Sequence, residues 1–452
     1  MTSVRIEAPF ARELSGMESF MAGMSATINA VIRGRGPLDE EALRQALALL
    51  RAKYPVVGGR VVRAADGTGH TLRLDRADAP VCAVEEGDPD RPLRDSDLLL
   101  CGGEALALRV TRQGERFRLV FSCHHSLSDG RVMITYLAEI FALYTSLVTT
   151  GRAEVGPARP LPMPPEAALS ERGVKKLAFD EFLRQSYGEE TAAFFTQAMS
   201  SAAPREAEAP VEEPVARAQF AVAHDRLRLS REQTAALIAL GKRTQISVHG
   251  LVSAASVLAE LLLEGSPDFL ILQLRSAVDV RTRVSPSVED PTSVTNFSGN
   301  STTLVLAQRG DDPIAWARQV RDQIAVDLER GIMPQSLLQM SGLTNIMREL
   351  SVAVSKPMPD TVFITNVGVL PELVVPDCIV LEDVHGVIHS DPSPEQFDVK
   401  AQQALGASRN HSYLVSTFDD RLSLDLFQFG SSGADTASVI RALQKAFDTL
   451  LA

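Results

Sequence analysis

His124-His125-Ser126-Leu127-Ser128-Asp129-Gly130 is the stretch on which the reading of this chain turns. Before it, Phe117 to Cys123 is apolar and alternating, the pattern of a buried strand. After it, Arg131 to Ile140 is apolar at helical spacing. The spacing therefore predicts two adjacent histidines at a strand end, in a short turn that feeds a helix. Strand ends in mixed α/β folds present reacting groups to a cleft while packed elements hold them still. A neutral imidazole there can take a proton from a hydroxyl or an amine near pH 7. The carboxylate of Asp129, four residues after His125, can bond backbone N–H groups of the turn or pair with an arginine from elsewhere. Gly130 removes a Cβ where the chain enters the helix. On its own, a histidine pair in one turn is more often a surface feature or a stray metal site than a catalytic centre.

Length and charge bound the alternatives. The 452 residues predict two or three domains of roughly 150 each. Hydrophobic content of 45% permits a sizeable core. A net charge of −12 argues against a general nucleic-acid or anionic-membrane surface. Cys82, Cys101, Cys123 and Cys378 make no metal spacing and read as buried free thiols in a reducing cytosol. Cys123 adjoins His124, but neighbours in a strand point to opposite faces, which discounts a Cys–His nucleophile. The N-terminus lacks a basic region followed by an apolar run, so no signal peptide is expected. No stretch approaches 18 uninterrupted apolar residues, so no membrane span is expected and a cytoplasmic location is.

Around the motif the chain reads as alternating strands and helices. Ala26 to Ile32 is a strand, and Asp39 caps an amphipathic helix from Glu40 to Tyr54 that Pro55 stops. Val56 to Val62 reads as a strand. Leu106–Val110 and Arg116–Ser122 form a hairpin across Gln113-Gly114. Helical stretches near 166–200 precede a segment rich in Ala, Pro and Glu. The expected domains are 1–200, a linker or crossover at 201–219, and 220–452. In the second half Phe220–Leu229 is a strand, Ser230 caps a helix, and His249 opens another in a structural role. Phe269 to Arg281 is a buried strand ending in charge. Asn296 to Asn300 is a turn before the strand Ser301–Leu306, and Pro313–Glu329 is a helix carrying Trp316. Thr361–Gly368, the hairpin Tyr413–Phe427 and a helix from Ala437 complete the chain.

The pattern HHxxxDG between a buried strand and a helix resembles the signature of the acyltransferase superfamily. That superfamily includes chloramphenicol acetyltransferase, condensation domains of peptide synthetases, and polyketide-associated acyltransferases such as phthiocerol dimycocerosyl transferase. Ser276 to Arg281 resembles its "VDLR" segment, Asn296 to Asn300 its "GN" turn, and Thr361 to Gly368 its "SNLG" segment. The resemblance implies an α/β (α+β) fold of two chloramphenicol-acetyltransferase-like lobes. Each would be a mixed sheet flanked by helices, with a channel between them. It implies His125 as the general base, with His124 and Asp129 in the catalytic group, and Asp129 held structurally through an arginine pair. Gly130 and Asn366 are expected at the substrate, and Arg281 and Asp279 in structural roles, with Arg281 or Arg275 as the partner of Asp129. The reaction implied is acyl transfer from a thioester to a hydroxyl or amine, without an acyl-enzyme.

No "DFGWG" latch is present; Phe427-Gln428-Phe429-Gly430 is a remnant in the wrong place. No attached carrier domain is expected either. Both features favour a stand-alone O-acyltransferase of secondary metabolism, acting on a hydroxylated lipid or polyketide. The donor would be an acyl-coenzyme A or an acyl carrier protein thioester, with no metal or prosthetic group, on a chain that works as a monomer. Lys175-Lys176 and Arg318 with Arg321 are the basic residues that could meet an acidic carrier. The alternatives are an amide-forming condensation enzyme on carrier-bound substrates and a non-catalytic carrier-binding module. Intact His125 and Asp129 argue against the last.

Overall fold

The computed structural model describes residues 10–64, 69–75, 80–189, 223–340, 360–391, 409–428 and 435–452. The chain divides into two units. The first comprises Met1–Gly173, Val284–Phe297 and Val369–Pro392; the second comprises Val174–Arg283, Ser298–Gly368 and Ser393–Ala452.

In the first unit the elements run β1 (Phe10–Glu13), α1 (Gly16–Gly23), β2 (Thr27–Arg35), α2 (Glu40–Lys53), β3 (Arg60–Arg63), β4 (His70–Leu74) and β5 (Val81–Glu86). They continue as α3 (Asp95–Leu98), β6 (Leu106–Gln113), β7 (Arg116–His124), α4 (Gly130–Thr150) and α5 (Pro165–Glu171), and β12 (Val380–His389) joins from far along the chain. The main sheet has the order β12-β2-β7-β6-β5, with β5 parallel to β6 and the other pairs antiparallel. The apolar alternation places β7 in the middle, where every residue from Phe117 to His124 is buried. The hairpin joining β6 to β7 turns at Gly114, whose φ of +60° suits a residue without a Cβ. Asp39 caps α2 by accepting from Ala42 N at 2.9 Å, as its position predicts. Helix α2 packs on α4 through the tilted rings of Tyr54 and Tyr136, 4.9 Å apart, and the Lys53–Glu139 pair. By length and composition alone α4 is apolar enough to cross a membrane, but eight of its residues are buried in this packing, as in a core helix.

In the second unit lie α6 (Phe179–Tyr187), β8 (Ala223–Arg228), α7 (Arg231–Thr244), α8 (Val248–Leu262), β9 (Phe269–Asp279) and β10 (Ser298–Gln308). Then come α9 (Pro313–Glu329), α10 (Ile332–Leu338), β11 (Asp360–Val369), β13 (Asn410–Phe418), β14 (Arg421–Gln428) and α11 (Thr436–Leu451). The sheet order is β10-β9-β11-β13-β14-β8, with β11 parallel to β9. One face carries Leu272, Leu274, Val305, Val362, Ile364, Val415 and Leu424 into a core closed by α8, α9 and α11, with Trp316 and Phe447 among its large residues. Two mixed sheets flanked by helices agree with the expected fold class.

Four expectations differ from the structure. Val56 and Val57 belong to a 3-10 turn, Pro55–Gly58, because the fixed φ of proline starts a tight helical turn; only Arg60–Arg63 is a strand. The strand β10 begins at Ser298, so Gly299 and Asn300 pair with β9 rather than turn. Cys101 and Cys378 are exposed, not buried. The division of the chain also differs from the expected one: the first unit closes at Gly173, and Val284–Phe297 and Val369–Pro392 return to it from the second half. The expected linker at 201–219 lies outside the described residues. The strand β12, absent from the sequence reading, pairs antiparallel with β2 from Val380↔Arg35 to His389↔Thr27. Where it approaches, Gly36 has a φ of +126° and a Cβ there would stand 2.1 Å from Cys378 O.

Phe121 sits at the centre of the first sheet with 0% exposure. Truncating Phe121→Ala is expected to cost about 3–5 kcal/mol of unfolding free energy in a urea titration. Arg116→Ala, which removes an exposed pair with Asp90, is expected to change it by less than about 1 kcal/mol.

Candidate active site

The strand β7 ends at His124, and the turn carries His125 to Ser128 into α4. Alternation along a strand sends neighbouring side chains to opposite faces, and the two imidazoles meet different surroundings. His124 is 5% exposed; its Nδ1 lies 3.3 Å from Ser126 N and 3.0 Å from Ser126 Oγ. Burial, reinforced by the neighbouring rings of His125 and His70, pushes it down to about 3. It is thus a neutral ring that accepts from the turn. The sequence grouped it with the catalytic residues; the structure makes it part of the turn's packing.

His125 is only part-buried. Its Nδ1 lies 2.9 Å from Ser128 O. A carbonyl oxygen only accepts, so this shorter contact assigns the proton to Nδ1 and the lone pair to Nε2, with the Asn296 amide nitrogen, 3.3 Å from Nδ1, donating instead to His125 O. No described residue bonds Nε2. Burial lowers its pKa, opposed by the Ser128 carbonyl and the charge of Asp129. The ring is therefore neutral at pH 7, with a basic nitrogen directed away from its anchoring bond.

Asp129 is the N-cap of α4. Oδ1 accepts from Arg131 N and Val132 N, both at 3.1 Å. Oδ2 accepts from Phe297 N at 2.8 Å. The carboxylate thereby joins the motif to the segment Val294–Phe297, which the chain delivers some 170 residues later. Asn296 donates from Nδ2 to His125 O at 3.2 Å, and Thr295 donates from Oγ1 to Glu18 Oε1 at 2.9 Å. Glu18 in turn holds Arg12 through two bonds of 2.7 Å. Asn296 and Ser128 hold His125 by hydrogen bonds, contacts that the sequence reading did not assign. Asn296 is fully buried, where an amide is costly unless its bonds are met.

Gly130 is the first residue of α4 and partly exposed. Asn366 lies on β11 in the second unit, where its Oδ1 accepts from Gly368 N at 2.9 Å. Arg281 and Asp279 also lie in the second unit and bond each other, Nη1 to Oδ1 at 3.2 Å. Cys123 is sealed, and burial pushes its thiol up to about 12, which makes it a poor nucleophile. Lys175, Lys176, Arg318 and Arg321 are all exposed, and Arg321 pairs with Asp322. Among the described residues no group of His, Cys, Asp and Glu could hold a metal ion.

Residues 218–427 match the family described as phthiocerol/phthiodiolone dimycocerosyl transferase C-terminus. The phthiocerol/phthiodiolone dimycocerosyl transferase of Mycobacterium sp. (strain JLS) is 30% identical over 361 residues, spanning 79% of this chain and 81% of that protein. Among solved structures, polyketide synthase associated protein 5 from Mycobacterium tuberculosis superposes with a TM-score of 0.71 at 24% identity, covering 98% of this chain and 97% of that one. Trichothecene 15-O-acetyltransferase from Fusarium sporotrichioides superposes with a TM-score of 0.67 at 12% identity, covering 100% and 97%. These two likenesses are of fold.

The histidines also set an acid limit. His249, whose Nε2 lies 2.8 Å from Ser276 Oγ, is pushed by burial to about 4. His124 and His249 both titrate below the ordinary imidazole value, so the folded chain binds fewer protons than the unfolded one. Their stabilisation is full above pH about 6.5 and is lost as the pH falls from there toward 4 and then 3. Urea titrations between pH 7 and 4.5 are expected to show that decline, and a His124→Gln variant a shallower one.

Proposed function

Because this acyltransferase belongs to the phthiocerol/phthiodiolone dimycocerosyl transferase family, we propose that it moves an acyl group from a thioester onto a hydroxyl of a lipid or polyketide, with His125 as general base. The donor in this reading is an acyl-coenzyme A or an acyl carrier protein thioester. The observation that carries it is the bond from His125 Nδ1 to Ser128 O, which fixes the tautomer and leaves the Nε2 lone pair available.

The hydroxyl oxygen attacks the thioester carbonyl as its proton passes to Nε2. A C–O bond forms, the tetrahedral intermediate collapses, the C–S bond breaks, and the imidazolium returns its proton to the departing thiolate. No covalent enzyme intermediate forms. Asp129 acts through position: it caps α4 and holds Phe297, and its charge favours the imidazolium that develops on His125. Asn296 holds the His125 carbonyl and so the turn itself.

The test is mass spectrometry of products from purified protein with acetyl-coenzyme A, longer acyl thioesters free or loaded on a carrier, and panels of alcohols and amines. Ester products are expected, and amide products alone would replace this reading with the condensation alternative. His125→Ala is expected to lower turnover by a factor on the order of 10² to 10⁴, and full activity in that variant would sink the proposal. Since burial holds the folded pKa of His125 below 6.5, kcat/KM is expected to be level near pH 7–8. It should fall as the pH drops through that lowered value.

A further inference from the structure

Six-stranded sheets with one face in the core usually turn polar residues outward. The outward face of β9 and β10 does not. Phe269 and Ile271 are each 50% exposed, Leu304 is 53% and Leu306 is 57% exposed. The antiparallel register sets Leu306 opposite Ile271, Leu304 opposite Gln273 and Thr302 opposite Arg275, so the apolar strip leads along the face to Arg275.

Arg275 has no ion-pair or hydrogen-bond partner among the described residues, and its Nε is buried without one. Its guanidinium packs over the ring of Phe363, 5.8 Å from the centroid, on the neighbouring strand. It lines a small surface cleft together with Ser186, Asn300 and Thr302. The Oγ of Ser186 is a second buried polar atom without a partner. Asp327 is the single acidic residue of the lining, but its two oxygens are taken by Ser301 Oγ and Gln323 Nε2, and burial raises its pKa. A half-buried guanidinium and a half-buried hydroxyl, each with a buried polar atom that no described residue satisfies, are a ready seat for an oxyanion.

We propose that this cleft binds an anionic amphiphile, an alkyl chain ended by a phosphate or a carboxylate. Its head bonds Arg275, Ser186 and Thr302, and its chain lies on Leu304, Ile271 and Leu306. The four residue steps from Arg275 to Ile271 span about 13 Å of strand, the reach of a medium-length chain. This site uses neither the thioester nor His125 and stands apart from the transferase reading.

The experiment is isothermal titration of the full chain with octyl phosphate, octanoate and inorganic phosphate, below micelle concentrations. Saturable binding of an octyl anion is expected, tighter than that of inorganic phosphate; the tighter of the two octyl compounds names the head group. Arg275→Gln is expected to weaken it by about tenfold or more, and Arg275→Lys, which keeps the charge, by less. The pair Ile271→Ser with Leu306→Ser should weaken the octyl compound and leave inorganic phosphate unchanged. His125→Ala should bind as the parent does even where transfer is lost. Absence of saturable binding, equal binding by a folded Arg275→Gln variant, or no gain from the octyl chain would overturn the proposal. Circular dichroism of each variant separates lost binding from lost fold.

Discussion

Asp129 is the constraint on which the histidine turn depends. Its carboxylate is almost fully buried, and burial of a charge is costly unless donors surround it. Here three backbone N–H groups do so, two from the first turn of α4 and one from Phe297. Bonds to a charged group are worth on the order of 1.5–3 kcal/mol each, and the helix N-terminus adds a favourable dipole. One side chain therefore starts a 21-residue helix and anchors a segment from the distant part of the sequence. The segment it anchors carries Asn296, which grips the backbone of His125. The His125 turn is thus held in part by main-chain groups, which a side-chain substitution elsewhere in the turn leaves in place.

Two identical side chains in succession acquire different chemistry by this arrangement. His124 is taken out of water and kept neutral, a polar spacer that accepts from Ser126. His125 keeps part of its surface and an unengaged nitrogen. The difference comes from strand alternation followed by a turn, not from the residue type. In the second unit the paired Asp279 and Arg281 show a related economy: the carboxylate accepts from both the backbone and the side chain of Arg281 at a strand end.

Much of this was legible in the residues. The alternation of 106–124, the helical spacing after Gly130, the caps at Asp39 and Ser230, and the hairpin at Asp419-Asp420 each follow from local rules, and each is present. The motif marked the turn between β7 and α4 to the residue. What escaped depends on contacts remote in sequence. The role of Asn296 requires knowing that 294–297 folds back onto residue 125. The strand β12 gives a weak local signal, because Glu382 and Asp383 interrupt its apolar run at an irregularity in the pairing with β2. The boundary between units was read from a shift in composition, whereas the chain crosses between them more than once.

That recrossing has a temporal consequence. The first sheet is incomplete until β12 lies against β2, and the histidine turn lacks its bond to Phe297 until that residue reaches Asp129. A nascent chain emerging from the ribosome presents the histidine pair long before either segment exists. Its edge strand β2 is then an unpaired template, the kind of exposed edge that invites wrong partners. Maturation of the amino-terminal unit must wait until translation has passed residue 389, late in a chain of 452 residues.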